Sequence, residues 1–266
     1  MGERYFQLGR ADQPQSAMGT RRQSSVKRMS QSALMSPPPE TGQVIRTALP
    51  DTFDGIRYEI GKMVNYVKQA AKDPFMIEHT NRIVDGYSQA AAAMNGNSLA
   101  GIDPRSLAIE ALEGWCRQHY AYVNDPPNIE VIQTPKRMVK QTMIPAEVTR
   151  DVMAPIFEAL VVAIGPKINE YEVPGLTAGD CDEGSTLMNA HCAAWGNGTK
   201  EMSAAAPTEK IRPIRFRFGG NGGTLHHVWA RPYLGEEGID SDLTEPGYNL
   251  GDYSKFEQYE EVEVEL

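Results

Sequence analysis

The sequence predicts an α+β fold: helices packed on a small antiparallel sheet, preceded by an extended N-terminal arm. Three observations predict it. Apolar residues recur at helical spacing in the segments after residue 50. Residues 211–234 alternate in polarity about a glycine-rich turn, as a hairpin does. The first 48 residues have neither period.

The arm, residues 1–48, is polar to about Gln43 and runs through Ser36-Pro37-Pro38-Pro39. Arg4, Arg10, Arg21, Arg22, Lys27 and Arg28 outnumber Glu3, Asp12 and Glu40. Too little apolar surface is present to offset ordering entropy. The arm is expected to be extended and to order against a partner, the alternative being a tail with no role.

In the segment 55–68, Ile56, Ile60, Met63, Val64 and Val67 form one apolar helix face. Asp73-Pro74 opens a second helix, with Asp as cap and Pro in the first turn, through about Val84. Ser106–Tyr120 is a third, carrying Leu107, Ile109, Ala111, Leu112 and Trp115, and it runs into a loop ending Asp125-Pro126-Pro127. Glu130–Pro135 reads as extended, with a proline-initiated helix after it. Val152–Ile164 is either a helix or a buried strand. Ile211–Phe218 is a half-buried strand, 219–223 a turn, and Leu225–Leu234 the returning strand. The domain therefore covers 49–252. Residues 253–266 end in Glu261-Val262-Glu263-Val264-Glu265-Leu266, either an edge strand or a docking tail.

Composition narrows the function. A net charge of −9 argues against broad nucleic-acid binding. No run approaches the roughly 18–20 apolar residues that span a bilayer. The N-terminus lacks the apolar core of a secretory signal, and Phe6 breaks the myristoylation pattern. The protein is expected to be made and kept in a cytosol, or packaged there into something larger. Three cysteines, Cys116, Cys181 and Cys192, leave one unpaired, and none has zinc-site spacing.

Cys181 stands out. Gly179-Asp180-Cys181 leads into a helix marked by Leu187, Ala190 and Ala194, so the thiol sits where unpaired N–H groups favour a thiolate. Asp180, Asp182 and Glu183 oppose that ionisation, and a nearby imidazole has to outweigh them. The hairpin strand supplies His226 and His227, expected on opposite faces. Asp240 and Asp242 follow as carboxylates able to orient a ring. His191 is expected at the surface, Trp115 and His119 as packing residues, and Cys116 and Cys192 as buried fillers. Asp180, Cys181, Asp182 and His191 are not expected to converge on a metal.

Gly-Asp-Cys before a helix, then His227-Val228-Trp229, then Asp242-Leu243-Thr244, resembles the transglutaminase-like superfamily of papain-related cysteine enzymes. The resemblance is closer to the transglutaminase-like proteins of tailed bacteriophages. It is carried by Ile60-Gly61-Lys62-Met63 through Asp73-Pro74, by Trp115 through Pro126, and by Glu130–Pro135, and it covers about Gly55 to Tyr253. Ala230-Arg231-Pro232 and the segment 192–207 depart from the family pattern. The resemblance implies a transglutaminase-like fold with a Cys181, His227, Asp242 triad; His227 fits the motif better than His226, and Asp242 better than Asp240. Gln133, Asp240 and Trp229 are supporting candidates; Gln133 is either an oxyanion donor or, more simply, a strand-loop glutamine. It further implies acyl transfer or hydrolysis at an amide, with peptidoglycan peptide one candidate substrate, no cofactor and no metal. A phage virion, assembled from a bacterial cytoplasm, is the implied location. The arm and tail would contact other virion proteins; nucleic acid and a membrane span are not expected. The competing expectation is a structural virion component using the same fold; a cytosolic regulatory protease is a third.

Overall fold

The computed structural model describes residues 28–29, 53–126, 130–142, 150–170, 177–197, 210–221, 224–244, 250–251, 256 and 258–266. It is a mixed helix-and-sheet fold, α+β as the hydrophobic periods require. Apart from residues 28 and 29, the arm lies outside the described residues.

Helix α1 (Phe53–Ala70) buries Ile60, Met63, Val64 and Val67, the predicted stripe. Helix α2 (Pro74–Met94) starts where expected, with the Asp73 carboxylate accepting from the Phe75 and Met76 N–H groups. It runs well past Val84, because its last turns are exposed and carry no apolar stripe to read. Helix α3 (Pro104–His119) is capped by Asp103 and leads into the short strand β2 (Ala121–Tyr122). The proline-started helix is α4 (Pro135–Lys140). Helix α5 (Arg150–Ile164) resolves the helix-or-strand choice: Met153, Phe157 and Val161 are buried at a spacing of four, while Val152, Ile156 and Val162 are exposed. That pattern belongs to a helix. A 3₁₀ turn (Gly165–Glu170) follows.

Strand β3 (Ala178–Gly179) precedes helix α6 (Cys181–Ala194) and pairs in parallel with β2. The hairpin is β4 (Ile214–Asn221) and β5 (Thr224–Leu234), joined at its far end to β6 (Glu237–Gly238). Strand β7 (Gln258–Glu263) lies antiparallel to the other side of β4. The C-terminal segment is thus an integral strand of the sheet rather than a free docking tail. Beyond it, β1 (Arg28–Met29) pairs in parallel with Glu261 and Val262, so this piece of the arm lies on the chain's own sheet.

Helix α6 is central. Every residue from Asp182 to Trp195 is buried, between α1, α2 and α3 on one side and the inner sheet face on the other. Ile214, Phe216, Phe218, Val228 and Ala230 supply that face. A smaller cluster of Val123, Val131, Met153, Phe157, Val161, Ile168 and Ala178 lies beneath α5. Among the described residues no helix is long and apolar enough to cross a membrane.

The outer sheet face corrects one expectation. Arg215 and Arg217 were read as the wet side of a half-buried strand, yet both are buried. Arg215 bonds to Glu261 and Glu263, and Arg217 pairs with Asp240 and lies 3.5 Å over the Tyr259 ring. Arg231 pairs with Asp240 and Glu261. Buried guanidinium groups persist only with such partners, since stranding one costs about 3–5 kcal/mol.

Candidate functional site

The start of α6 is built tightly. Asp180 caps the helix, and Glu183 reaches back to the Asp180 N–H at 3.1 Å, which makes a capping box. A Cβ added at Gly179 would lie 2.5 Å from Glu183 Oε2, so only glycine lets that side chain fold back. Gly179→Ala is expected to break the box and destabilise the fold by about 1–3 kcal/mol, measured as a lower urea midpoint. A midpoint equal to wild type would show that Glu183 moves aside freely.

Cys181 is the partly exposed member of the three cysteines; Cys116 and Cys192 are fully buried. Its Sγ lies 3.7 Å from Asp182 Oδ1. Burial pushes the thiol pKa well up, and Asp180 and Asp182 push it further; the Val228 N–H beside the sulfur pulls the other way. The helix start therefore does not win at rest. The sulfur is held as a thiol, against the sequence expectation that the dipole would favour a thiolate.

The Val228 N–H places the sulfur next to the strand residue that follows His227. The His227 Nε2 meets Asp242 Oδ2 at 2.6 Å. Burial alone would raise the Asp242 pKa, but the bonds from His227 and from the Thr244 N–H and hydroxyl outweigh it and hold the carboxyl low. An ionised Asp242 sets the tautomer: Nε2 carries the proton and Nδ1 presents its lone pair. A hydrogen bond between Cys181 Sγ and the ring is not among those of the described residues. The ring is near enough to Asp180 to lower that carboxyl's pKa, though burial dominates and leaves it raised.

The expectation that His226 and His227 point to opposite faces fails for a local reason. The register shifts between Gly219 and Gly220, leaving His226 without a partner between Leu225 and His227. This bulge lets both rings reach Phe256, at 5.3 and 5.5 Å between centroids. Past the bulge the alternation is regular, and Trp229 stacks against His227 at 5.7 Å.

Asp240 has a different employment from Asp242. It is buried, and its Oδ1 accepts from Trp229 Nε1 at 2.7 Å while its Oδ2 accepts from Arg217 and forms an ion pair with Arg231. It pins the indole that backs His227. Gln133 is also fully committed. Its Nε2 donates to the Ala178 carbonyl at 2.5 Å and its Oε1 accepts from Arg137. The proposed oxyanion role for Gln133 is therefore replaced by a structural one: it ties the strand before Cys181 to α4.

Sequence reasoning missed the acidic surroundings. Ligand atoms of Asp180, Cys181 and Asp182 lie within 4.8 Å of one another, as do those of Glu59, Glu130 and Asp182, and of Asp125, Glu130 and Asp180. The first of these brings Asp180, Cys181 and Asp182 together without His191, so the four residues named from the sequence do not share one group. Such donors suit a hard cation. The carboxyls can also hold protons instead: burial, then Asp125 and Asp180, raise Glu130 to about 9, and burial, then Glu183 and Asp180, raise Asp125 to about 11. Glu59, Asp125 and Glu130 come from separate segments, so no local motif announces them.

His191 is likewise not a surface residue. It is completely buried, with Nδ1 2.8 Å from the Thr80 hydroxyl and its ring edge-on to Trp115 at 5.0 Å. Trp115 in turn stacks on His119 at 4.5 Å. No protein-family profile, curated protein or solved structure matches this chain.

Proposed function

We propose that this chain is a transglutaminase-like cysteine protein of the tailed-phage type, performing amide acyl transfer or hydrolysis with Cys181, His227 and Asp242. The observation that carries this reading is the 2.6 Å bond between His227 Nε2 and Asp242, on the strand whose next N–H faces the Cys181 sulfur. With Nε2 protonated, Nδ1 accepts the thiol proton as sulfur adds to the amide carbonyl. The imidazolium then returns that proton to the departing amine. Water or a second amine attacks the thioester, giving hydrolysis or crosslinking. Because the thiol is protonated at rest, proton transfer accompanies attack, and substrate has to bring Nδ1 and sulfur into contact.

Peptidoglycan peptide is the substrate class put forward, and the virion, filled from the bacterial cytoplasm, the location. The N-terminal arm and the C-terminal segment would meet other virion proteins. No cofactor enters the scheme. A second reading, a structural virion component with little activity, is favoured by one observation: the thiol lies beside Asp180 and Asp182, which oppose its ionisation.

Labelling with an iodoacetamide probe across pH separates the two. The catalytic reading expects Cys181 to label faster than Cys116 and Cys192 near neutral pH, read by peptide mass spectrometry. Three equally slow thiols in the folded protein would leave only the structural reading.

A further inference from the structure

The last turn of α3 touches both halves of the candidate site. Tyr120 follows α3 directly, is buried, and donates its hydroxyl to the Asp180 carbonyl at 2.5 Å. Its chain neighbours reinforce this: the Ala121 N–H donates to Thr177 O at 3.0 Å and the Val123 N–H to Gly179 O at 2.7 Å. The residues before Cys181 are thus fastened to the end of α3 by three hydrogen bonds.

One turn back, Arg117 Nη2 donates to the Asp242 carbonyl at 2.9 Å, while Glu113 holds the same guanidinium from within the helix. The carboxylate of that same Asp242 holds His227. The two attachments also meet in space. A Cβ placed on Gly184 would lie 3.3 Å from the Tyr120 ring and 3.4 Å from the Thr244 methyl. Tyr120, the second turn of α6 and the Asp242–Thr244 loop are therefore packed against one another.

Among the described residues neither Arg117 nor Tyr120 hydrogen-bonds to the sulfur or the imidazole. We propose that they are positioning residues, a bracket on α3 that sets the register of Cys181 against the His227–Asp242 pair. The proposal rests on the triad reading above. Without the Tyr120 hydroxyl the Asp180 carbonyl would lose its bond to the end of α3, leaving the Ala121 and Val123 backbone bonds there. Without Arg117 the Asp242 loop would lose its tie to the helices. An offset of about 1 Å between a nucleophile and its base costs on the order of a hundredfold in rate, so small displacements matter here.

The test uses the full chain and iodoacetamide, with the pH profile of Cys181 alkylation as the readout and thermal unfolding as the fold control. Tyr120→Phe keeps the ring and its packing and removes only the hydroxyl. Arg117→Met keeps the length and removes the donors, and Arg117→Lys restores one. The bracket expects Tyr120→Phe and Arg117→Met each to slow Cys181 alkylation near neutral pH by about tenfold and to move its profile to higher pH, with Arg117→Lys recovering part of the loss. If Arg117→Met does not fold, Tyr120→Phe carries the same expectation alone. Profiles that superimpose on wild type, in a background where His227→Ala does shift the profile, overturn the bracket and leave the triad standing. An unmoved profile in His227→Ala overturns both.

Discussion

Replacing His227 with alanine is expected to slow alkylation of Cys181 near neutral pH by about a hundredfold, the lower end of what a positioned general base contributes. The physical reason is the protonated resting thiol. Burial, Asp180 and Asp182 all hold the proton on sulfur, so on the proposed reading reactivity depends on a base that takes it, the His227 Nδ1 left free by the bond from Nε2 to Asp242. Asp242→Asn leaves the ring in place but removes the charge that holds the tautomer and is expected to cost about tenfold, less than loss of the ring itself. Asp182→Asn runs the other way, removing one of the carboxylates that oppose ionisation and speeding alkylation. Peptide mass spectrometry of the labelled protein assigns each rate to its cysteine. A His227→Ala rate within about twofold of wild type would remove the base from the scheme.

The second large effect is on stability against pH. Glu130 keeps its proton in the fold up to about 9, because burial and then Asp125, Asp180 and Glu59 penalise its charge. The unfolded chain gives that proton up near 4.5. Its stabilising contribution is therefore fully present below 4.5 and drains away as pH rises towards 9. Buried histidine has the opposite sign: burial lowers His79 to about 4, so its contribution is present above 6.5 and is lost as pH falls towards 4. Between pH 6.5 and 8 the histidine is silent, and the carboxyls alone set the slope. Glu130 by itself accounts for at most about 2 kcal/mol over that interval. Thermal unfolding should show Glu130→Gln losing about 4–8 °C less than wild type between pH 6.5 and 8, the share that belongs to Glu130. Equal slopes would mean that Glu130 is ionised in the fold.

How far the sequence could be read depends on where each side chain finds its partner. The α1 stripe and the Asp73-Pro74 cap were legible because their determinants lie within one or two turns. The positions of Cys181, His227 and Asp242 were legible because a short pattern marks each. His191 and Arg215 were not. A histidine on a helix buried on all sides looks like a surface residue until α2 supplies Thr80, 111 residues away. Arg215 reads as a wet strand position until Glu263 arrives from 48 residues downstream. The acidic surroundings of Cys181 failed to show for the same reason, since Glu59, Asp125 and Glu130 are far from it in sequence. Gln133 reads as either an oxyanion donor or a plain strand-loop glutamine, and its amide bonds to Ala178 and Arg137 are partners that no motif can foresee.

Strand β7 has a consequence for the order in which the molecule is made. Residues 258–263 supply Glu261 and Glu263, the counter-charges for Arg215 and Arg231, and cover the open side of β4. A nascent chain emerges from its N-terminal end. When the ribosome has extruded it only as far as residue 257, α1, α2, α3 and α6 are already outside, but the hairpin still lacks its third strand. Arg215 then has no carboxylate to be buried with and Arg231 has only Asp240, and the outer face stays wet. Cys181 is thus synthesised well before the sheet bearing His227 can close behind it. On the triad reading the nucleophile is made ahead of its base, and the sheet that carries the base is completed only when residues 258–263 dock beside β4.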